Sequence, residues 1–375
     1  MGSPGHQNLT QPLVADASSY DYFESSTELY FLVRFQSYLP PLLIITGSLG
    51  NIAPILALHR PGLAHHSIGL YLSAYLVVST GYLYAGCGLD WLSHVTGLPN
   101  VSHLADWTCR LWKFVFGVVR HSVDWLLVAM VSDRVIATRR ALAAYRPVLC
   151  TTFVARVAIV GIFVGLTVIA IHAMWIYGLT MDPDGSCGID ERQRDLGSIA
   201  WPWLSAVTLS YIPNTLALVL TPLLTADYLG GLWRSRRRRR RRDPGAVDDD
   251  VEGPAGERNG DAFESVEESI QSGFTLCAIC TAFTFLFCTV SANLVNIFWY
   301  VNPPDLLTWY TSFATCSMVS CLQSSATFVW CFLCVRNVRS EFRVLLGEIC
   351  ERCSCLIRRV EEVHEEVNID QDEHP

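Results

Sequence analysis

Seven apolar runs constrain this chain more than anything else in it. They fall at 37–58, 68–90, 108–136, 153–179, 203–229, 271–300 and 306–334. A helix needs about 20 mainly apolar residues to cross a bilayer, and each run is long enough. Inside lipid the backbone must satisfy its own hydrogen bonds, so the runs predict helices. A β-barrel is excluded, because its strands would show polar–apolar alternation over about ten residues. Prolines fall within the first run (Pro40, Pro41, Pro54) and in and around the fifth (Pro202, Pro213, Pro222). Membrane helices tolerate them where neighbouring groups re-satisfy the freed carbonyl. Composition agrees: only 17% of residues are charged, against about 25% in soluble proteins. The expected fold is an all-α membrane protein, a bundle of seven transmembrane helices.

The net charge of −8 is segregated along the chain. The connections 91–107, 180–201 and 301–305 carry little Lys or Arg. The others hold Arg60, Arg139, Arg140, Arg146, Arg156 and the run Arg234 to Arg242. Positive loops stay on the cytoplasmic side, so the N-terminus is expected outside and the C-terminus inside. The polar segment 1–36 shows no cleavable signal peptide, so the first helix is expected to act as the insertion signal. Two N-glycosylation triplets, at Asn8 and Asn100, then face outward. Residues 234–268, "RSRRRRRRR" and the acidic text after it, have no apolar face and are expected to form a disordered third cytoplasmic loop. The arginine run reads as a topology anchor against anionic lipid, not as a nucleic-acid site, because it abuts a membrane helix. Residues 336–349 predict a short amphipathic cytoplasmic helix, and 350–375 a tail.

Of the fourteen cysteines, most lie within spans, where a thiol behaves as a small hydrophobe. Cys109 and Cys187 fall outside the membrane on this topology, and a disulfide between them is allowed there. Cys350, Cys353 and Cys355 follow the amphipathic stretch. They are palmitoylation candidates, with unmodified cytosolic thiols as the alternative.

Residue-level text narrows the family. "GSLGNIAPIL" has a Gly-Asn pair with Asn51. "DWTCRLWKFV" opens the third run with Cys109, and Asp133 stands 24 residues later in "SDRVIAT". "YIPN" contains Pro213, and "FLFC" spans Phe285 to Cys288. Together these resemble the rhodopsin-like G-protein-coupled receptors over roughly residues 35–345. "YLSAYLVVST" and "SSATFVWCFL" look most like peptide receptors of the FMRFamide-receptor type. An opsin would need a lysine in the seventh run, and the chain's single lysine is Lys113 in the third. Amine receptors carry an acid where this chain has Phe116.

The resemblance implies roles. Cys109 would be the bridging cysteine. Asp133, Arg134 and Val135 stand for the Asp-Arg-Tyr motif at the cytoplasmic end of the third helix. Arg134 would pair with Asp133 at rest, then meet the G protein when the sixth helix swings out. Arginine suits this role because it stays charged and its planar fork exchanges partners; the competing view is a helix-end arginine reaching to the interface. The chain also departs from the pattern. Ser79 stands where the family has a sodium-binding aspartate, 28 residues after Asn51, so sodium modulation is expected to be lost. Thr289 and Ser291 replace the sixth-helix Trp and Pro. The seventh-helix motif is absent in either register, Ala326 to Trp330 or Thr327 to Cys331.

Arg120, His121 and Asp124 lie inside the third run, with Arg120 and Asp124 on one helix face. They read either as a polar switch or ligand contact, or as an ion pair satisfying itself. With Phe116, Asn293 and Asn296 they are the ligand-pocket candidates; His172 reads as a packing hydrogen bond. The expected function is a plasma-membrane receptor for an extracellular ligand, a peptide by resemblance, acting on a heterotrimeric G protein. The alternative is a receptor-like protein whose signalling is weak, constitutive or absent. A transporter or channel would want internal repeats, and none is visible. No catalytic site, metal cluster or cofactor motif is seen.

Overall fold

In the computed structural model the structure describes residues 27–141, 150–179, 187–190, 207–242, 255–301, 306–352 and 354. Seven helices are long and apolar enough to cross a membrane. They are α1 (Thr27–Leu58), α2 (Ser67–Thr96), α3 (Asp106–Ala141), α4 (Thr152–Ile176), α5 (Ile212–Arg242), α6 (a helix from Ala255 to Val301) and α7 (Leu306–Cys334). An eighth, α8, runs over 336–352 after a break at Val335. The fold is the expected all-α bundle of seven apolar helices followed by an amphipathic one.

Several boundaries differ from expectation: α1 begins at Thr27, inside the expected tail 1–36, and α2 runs on to Thr96, inside the expected connection 91–107. The fourth helix stops at Ile176, because Tyr177–Leu179 (β1) leaves it to pair antiparallel with Cys187–Ile189 (β2). Asp106 holds this hairpin by accepting a hydrogen bond from Leu179 N at 3.0 Å. The predicted disordered loop is helical at both ends: α5 continues to Arg242 and α6 begins at Ala255. Arginine is a good helix former, and the Arg237 guanidinium caps the Trp233 ring at 5.1 Å. The eighth helix also extends past 349. Val335 and Val338 bury its apolar side and Phe342 meets Phe332 edge-on at 5.3 Å.

Three helices contain a π-turn: Leu83–Gly88 in α2, Val207–Tyr211 just before Ile212 of α5, and Leu286–Val290 in α6. The last lies immediately before Ser291. A π-turn frees backbone groups and bends a helix without proline. Ser291 donates its hydroxyl to Phe287 O just beyond it.

The core lies along the inner faces of α2, α3, α6 and α7. Tyr75, Leu76, Leu126, Leu127, Met130, Phe274 and Phe285 are fully buried there. Lipid-side faces expose Leu49, Phe153, Val168 and Phe287. Such exposure would be a liability in water and is the expected outer surface in a bilayer. Helices α1 and α7 touch closely through glycine. A Cβ on Gly47 would stand 2.6 Å from Leu83 Cδ1 and 2.8 Å from Ser325 Cβ.

Candidate functional site

Polar chemistry concentrates at two levels of the bundle. The upper level lies toward Cys109 and Cys187, which form a disulfide with Cα atoms 5.5 Å apart. The bridge ties β2 to the start of α3. Below it opens a cleft of about 540 Å³ lined by Asp90, Lys113, Phe116, Arg120, Cys187 and Asn293, among others. Phe116 stacks between Tyr82 and Trp112, with ring centroids 5.8 Å from each. Asp90 accepts from Asn100 Nδ2 at 2.7 Å, so one glycosylation candidate has its amide engaged at the rim. The other, Asn8, lies outside the described residues.

Arg120, which lines the cleft, belongs to an ion pair. Arg120 donates to Asp124 Oδ1 at 3.2 Å and lies 5.4 Å above the Tyr82 ring. Asp124 is fully buried, and its Oδ2 has no protein partner. Asn293 Nδ2 and both side-chain polar atoms of Asn214 are also unpartnered and buried. Buried polar atoms of this kind are normally satisfied by water or ligand. Of the sequence candidates, Phe116, Arg120, Asp124 and Asn293 thus converge. His121 does not: it turns to α5, with Nδ1 3.5 Å from Ser210 Oγ. His172 bonds Ile169 O within its own helix. The side chain of Asn296 lies outside the described residues.

Beneath the cleft a buried polar chain joins three helices. Thr289 donates to Gln323 Oε1 at 2.9 Å, and Gln323 donates to the Tyr75 hydroxyl at 3.2 Å. Asn51 ties α1 to α2 and α7, donating to Thr80 Oγ1 at 3.1 Å and Ser324 O at 3.3 Å. Ser79 is fully buried. Among the described residues the buried acids are Asp124 and Asp133, and each already faces an arginine. On α7 it is Thr327 and Cys331 that face inward, while Ala326 and Trp330 are partly exposed. Pro213, Phe285 and Cys288 are all buried.

The lower level is built around Arg134, 3% exposed. Its Nη2 and Nε donate to Asp133 Oδ2 at 2.6 and 3.1 Å. Ser67, at the start of α2, donates to both oxygens of Asp133 at 3.1 Å. On the far side Arg134 Nη1 donates to Gln271 Oε1 of α6 at 2.6 Å. Gln271 Nε2 in turn donates to Glu267 Oε1 at 3.1 Å and sits 3.0 Å from His66 Nδ1. Val135 is buried behind the pair. His66 is held below its ordinary pKa by burial first, with Arg134 adding to the shift and Glu267 opposing it. A neutral imidazole accepts from Gln271; a protonated one cannot.

Sequence reasoning found Asp133 and Arg134 but missed Gln271, Ser67, His66, Gln323 and Tyr75. These are isolated polar residues at the edge of, or within, apolar runs. Nothing local distinguishes them from residues that merely cap a span. Cys350 is exposed on α8; Cys353 and Cys355 lie outside the described residues. No family model matches the chain, and no curated protein matches it.

Proposed function

We propose that this chain is a membrane receptor of the rhodopsin-like type, with its N-terminus outside the cell, that passes ligand binding in the upper cleft to a heterotrimeric G protein at the Arg134 end. The observation that carries this is the Arg134 network. One buried guanidinium bridges Asp133 on its own helix to Gln271 on α6, so an outward movement of α6 must break a charge-assisted bond and expose the arginine. The π-turn at Leu286–Val290 lies between that end and the cleft, where a bend in α6 would convert ligand contact into movement. The cleft volume suits a ligand end or a short peptide segment, and about 300–1,000 Å³ is usual for such sites. Lys113 and Asp90 in its wall offer a ligand one group of each charge. The chain's own residues supply binding and motion.

The test is G-protein activation in cells expressing the full chain, beside Arg134→Ala at matched surface level. A signal that disappears in the variant supports the reading; a signal of unchanged size rules out the Asp133–Arg134 role.

A second reading has its own support. Gln271 is neutral where a carboxylate would hold Arg134 by full charge, and no free buried acid is present among the described residues to take sodium. Both features weaken the resting state. They favour a receptor with constitutive activity over one silent without ligand.

A further inference from the structure

The eighth helix divides its charge by face. Glu341 and Glu348 turn to α1, where Arg60 meets them at 4.0 and 2.6 Å. Arg336, Arg339 and Arg343 turn the other way, toward the start of the α6 span. With Ser269, Asn337 and Ser340 they line a cleft of about 470 Å³. Among the described residues no carboxylate lines it, and none of the three arginines has an ion-pair partner. Arg339 uses one nitrogen on the carbonyls of Phe332 and Leu333, at 2.8 and 3.1 Å, which fixes the group against the end of α7. Val344, Leu346 and Ile349 of the same helix are half-exposed. A helix with exposed aliphatics beside a basic row lies in the membrane interface, with its cations at head-group depth.

We propose that this cleft binds a multiply phosphorylated head group, the α8 arginines taking its phosphates and the two serines and Asn337 its remaining oxygens. Guanidinium forks match phosphate oxygens two at a time. The charge count selects the class. Three cations without a carboxylate partner among the described residues line the cleft, and a phosphate monoester carries about −1.5 to −2. Two monoesters neutralise the site, whereas a singly charged phospholipid head leaves most of it unpaired. The volume exceeds what one inorganic phosphate fills and lies within the range of about 300–1,000 Å³ usual for ligand sites. The same chemistry exists on a lipid and on its free head group. The proposal requires the bundle and its interface, and stands apart from the G-protein reading.

The experiment uses the purified full chain in detergent and a fluorescent short-chain phosphatidylinositol bisphosphate, read by polarisation. The variant is Arg336→Gln with Arg343→Gln, which spares the Arg339 contact with α7. At about fivefold per arginine, the variant should bind about 25-fold more weakly than the wild type, with an unchanged melting temperature. Arg336→Lys with Arg343→Lys should retain most of the binding, which separates lost charge from lost fold. Competition by soluble inositol trisphosphate supports a site that reads the head group alone; its failure to compete supports a site that requires the lipid. Equal binding by wild type and the Gln variant overturns the proposal. So does equally tight binding of phosphatidylserine, which would mean diffuse surface charge. Binding that emerges only after residues 361–375 are removed would assign the cleft to the chain's own acidic tail and also overturn it.

Discussion

Gln271 offers Arg134 a neutral acceptor, and a hydrogen bond to a charged group contributes about 1.5–3 kcal/mol. Gln271→Ala should therefore shift the balance from resting to open by about tenfold, seen as raised basal nucleotide exchange in membranes without ligand. If basal exchange does not rise, the contact does not hold the resting state. The Arg120–Asp124 pair raises a different question, since it is either a switch or a self-satisfied pair. Asp124→Ala leaves a buried guanidinium unpaired and should cost about 3–5 kcal/mol. Replacing both, Arg120→Met with Asp124→Leu, should return thermal stability to within about 1 kcal/mol of wild type. Ligand response measured on that double variant then decides. A response that survives assigns the pair to packing; its loss with stability intact assigns the pair to the ligand.

At the scale of elements, the contact between α6 and the α7–α8 junction sets how freely α6 moves. A Cβ on Gly273 would stand 2.9 Å from Cys334 O and 3.4 Å from Val335 Cα, both backbone atoms that cannot turn aside. Gly273→Ala should push α6 outward by a few tenths of an ångström or more. Overpacking of this kind costs about 1–3 kcal/mol. The expected outcome is a lower melting temperature together with a higher basal signal, because the packing that holds α6 against the α7–α8 junction is loosened. A lower melting temperature with no basal change would separate the α6 packing from signalling. The π-turn in α6 belongs to the same scale. Nothing in residues 286–290 announced that this turn would take the π form.

For the molecule as a whole, proton concentration becomes an input through His66. Its folded pKa lies below the ordinary value of 6.5. Burial in the closed bundle, and after it the Arg134 charge, lower it, while Glu267 pulls the other way. Opening the bundle relieves the burial, so the open state binds the proton more readily. The stability of the closed state from this group is complete above pH 6.5 and falls as pH drops from there through the folded pKa. Basal signal measured in membranes should rise from pH 7.5 to pH 5.5. His66→Gln, which gains no proton, should flatten that profile; an unchanged profile would remove His66 from the account.

How much of this was legible in the chain follows from what each feature depends on. Seven spans and the amphipathic eighth helix are local properties: hydropathy over about 20 residues and the cost of unpaired backbone in lipid suffice for them. Cys109, Cys187, Asp133 and Arg134 were legible because their spacing and flanking text carry them. The extent of α5 and α6 was not, since polar composition suggests disorder while a helix already nucleated in the membrane extends with no new nucleation cost. Gln271, His66 and Ser67 came together from two connections more than 200 residues apart. Gln323, Tyr75 and Thr289 met in the same way across α7, α2 and α6. A hydrogen bond is decided by positions to within a few tenths of an ångström, and those positions come from helix packing. The sequence by itself therefore determined the membrane class, the helix count and the fixed cation on α3. Only the tertiary structure decided which neutral amide holds that cation, which carboxylate pairs with Arg120 beside the cleft, and which face of α8 carries arginines with no ion-pair partner among the described residues. Hydropathy adds up along a chain, whereas partnership between polar groups exists only once distant segments are packed.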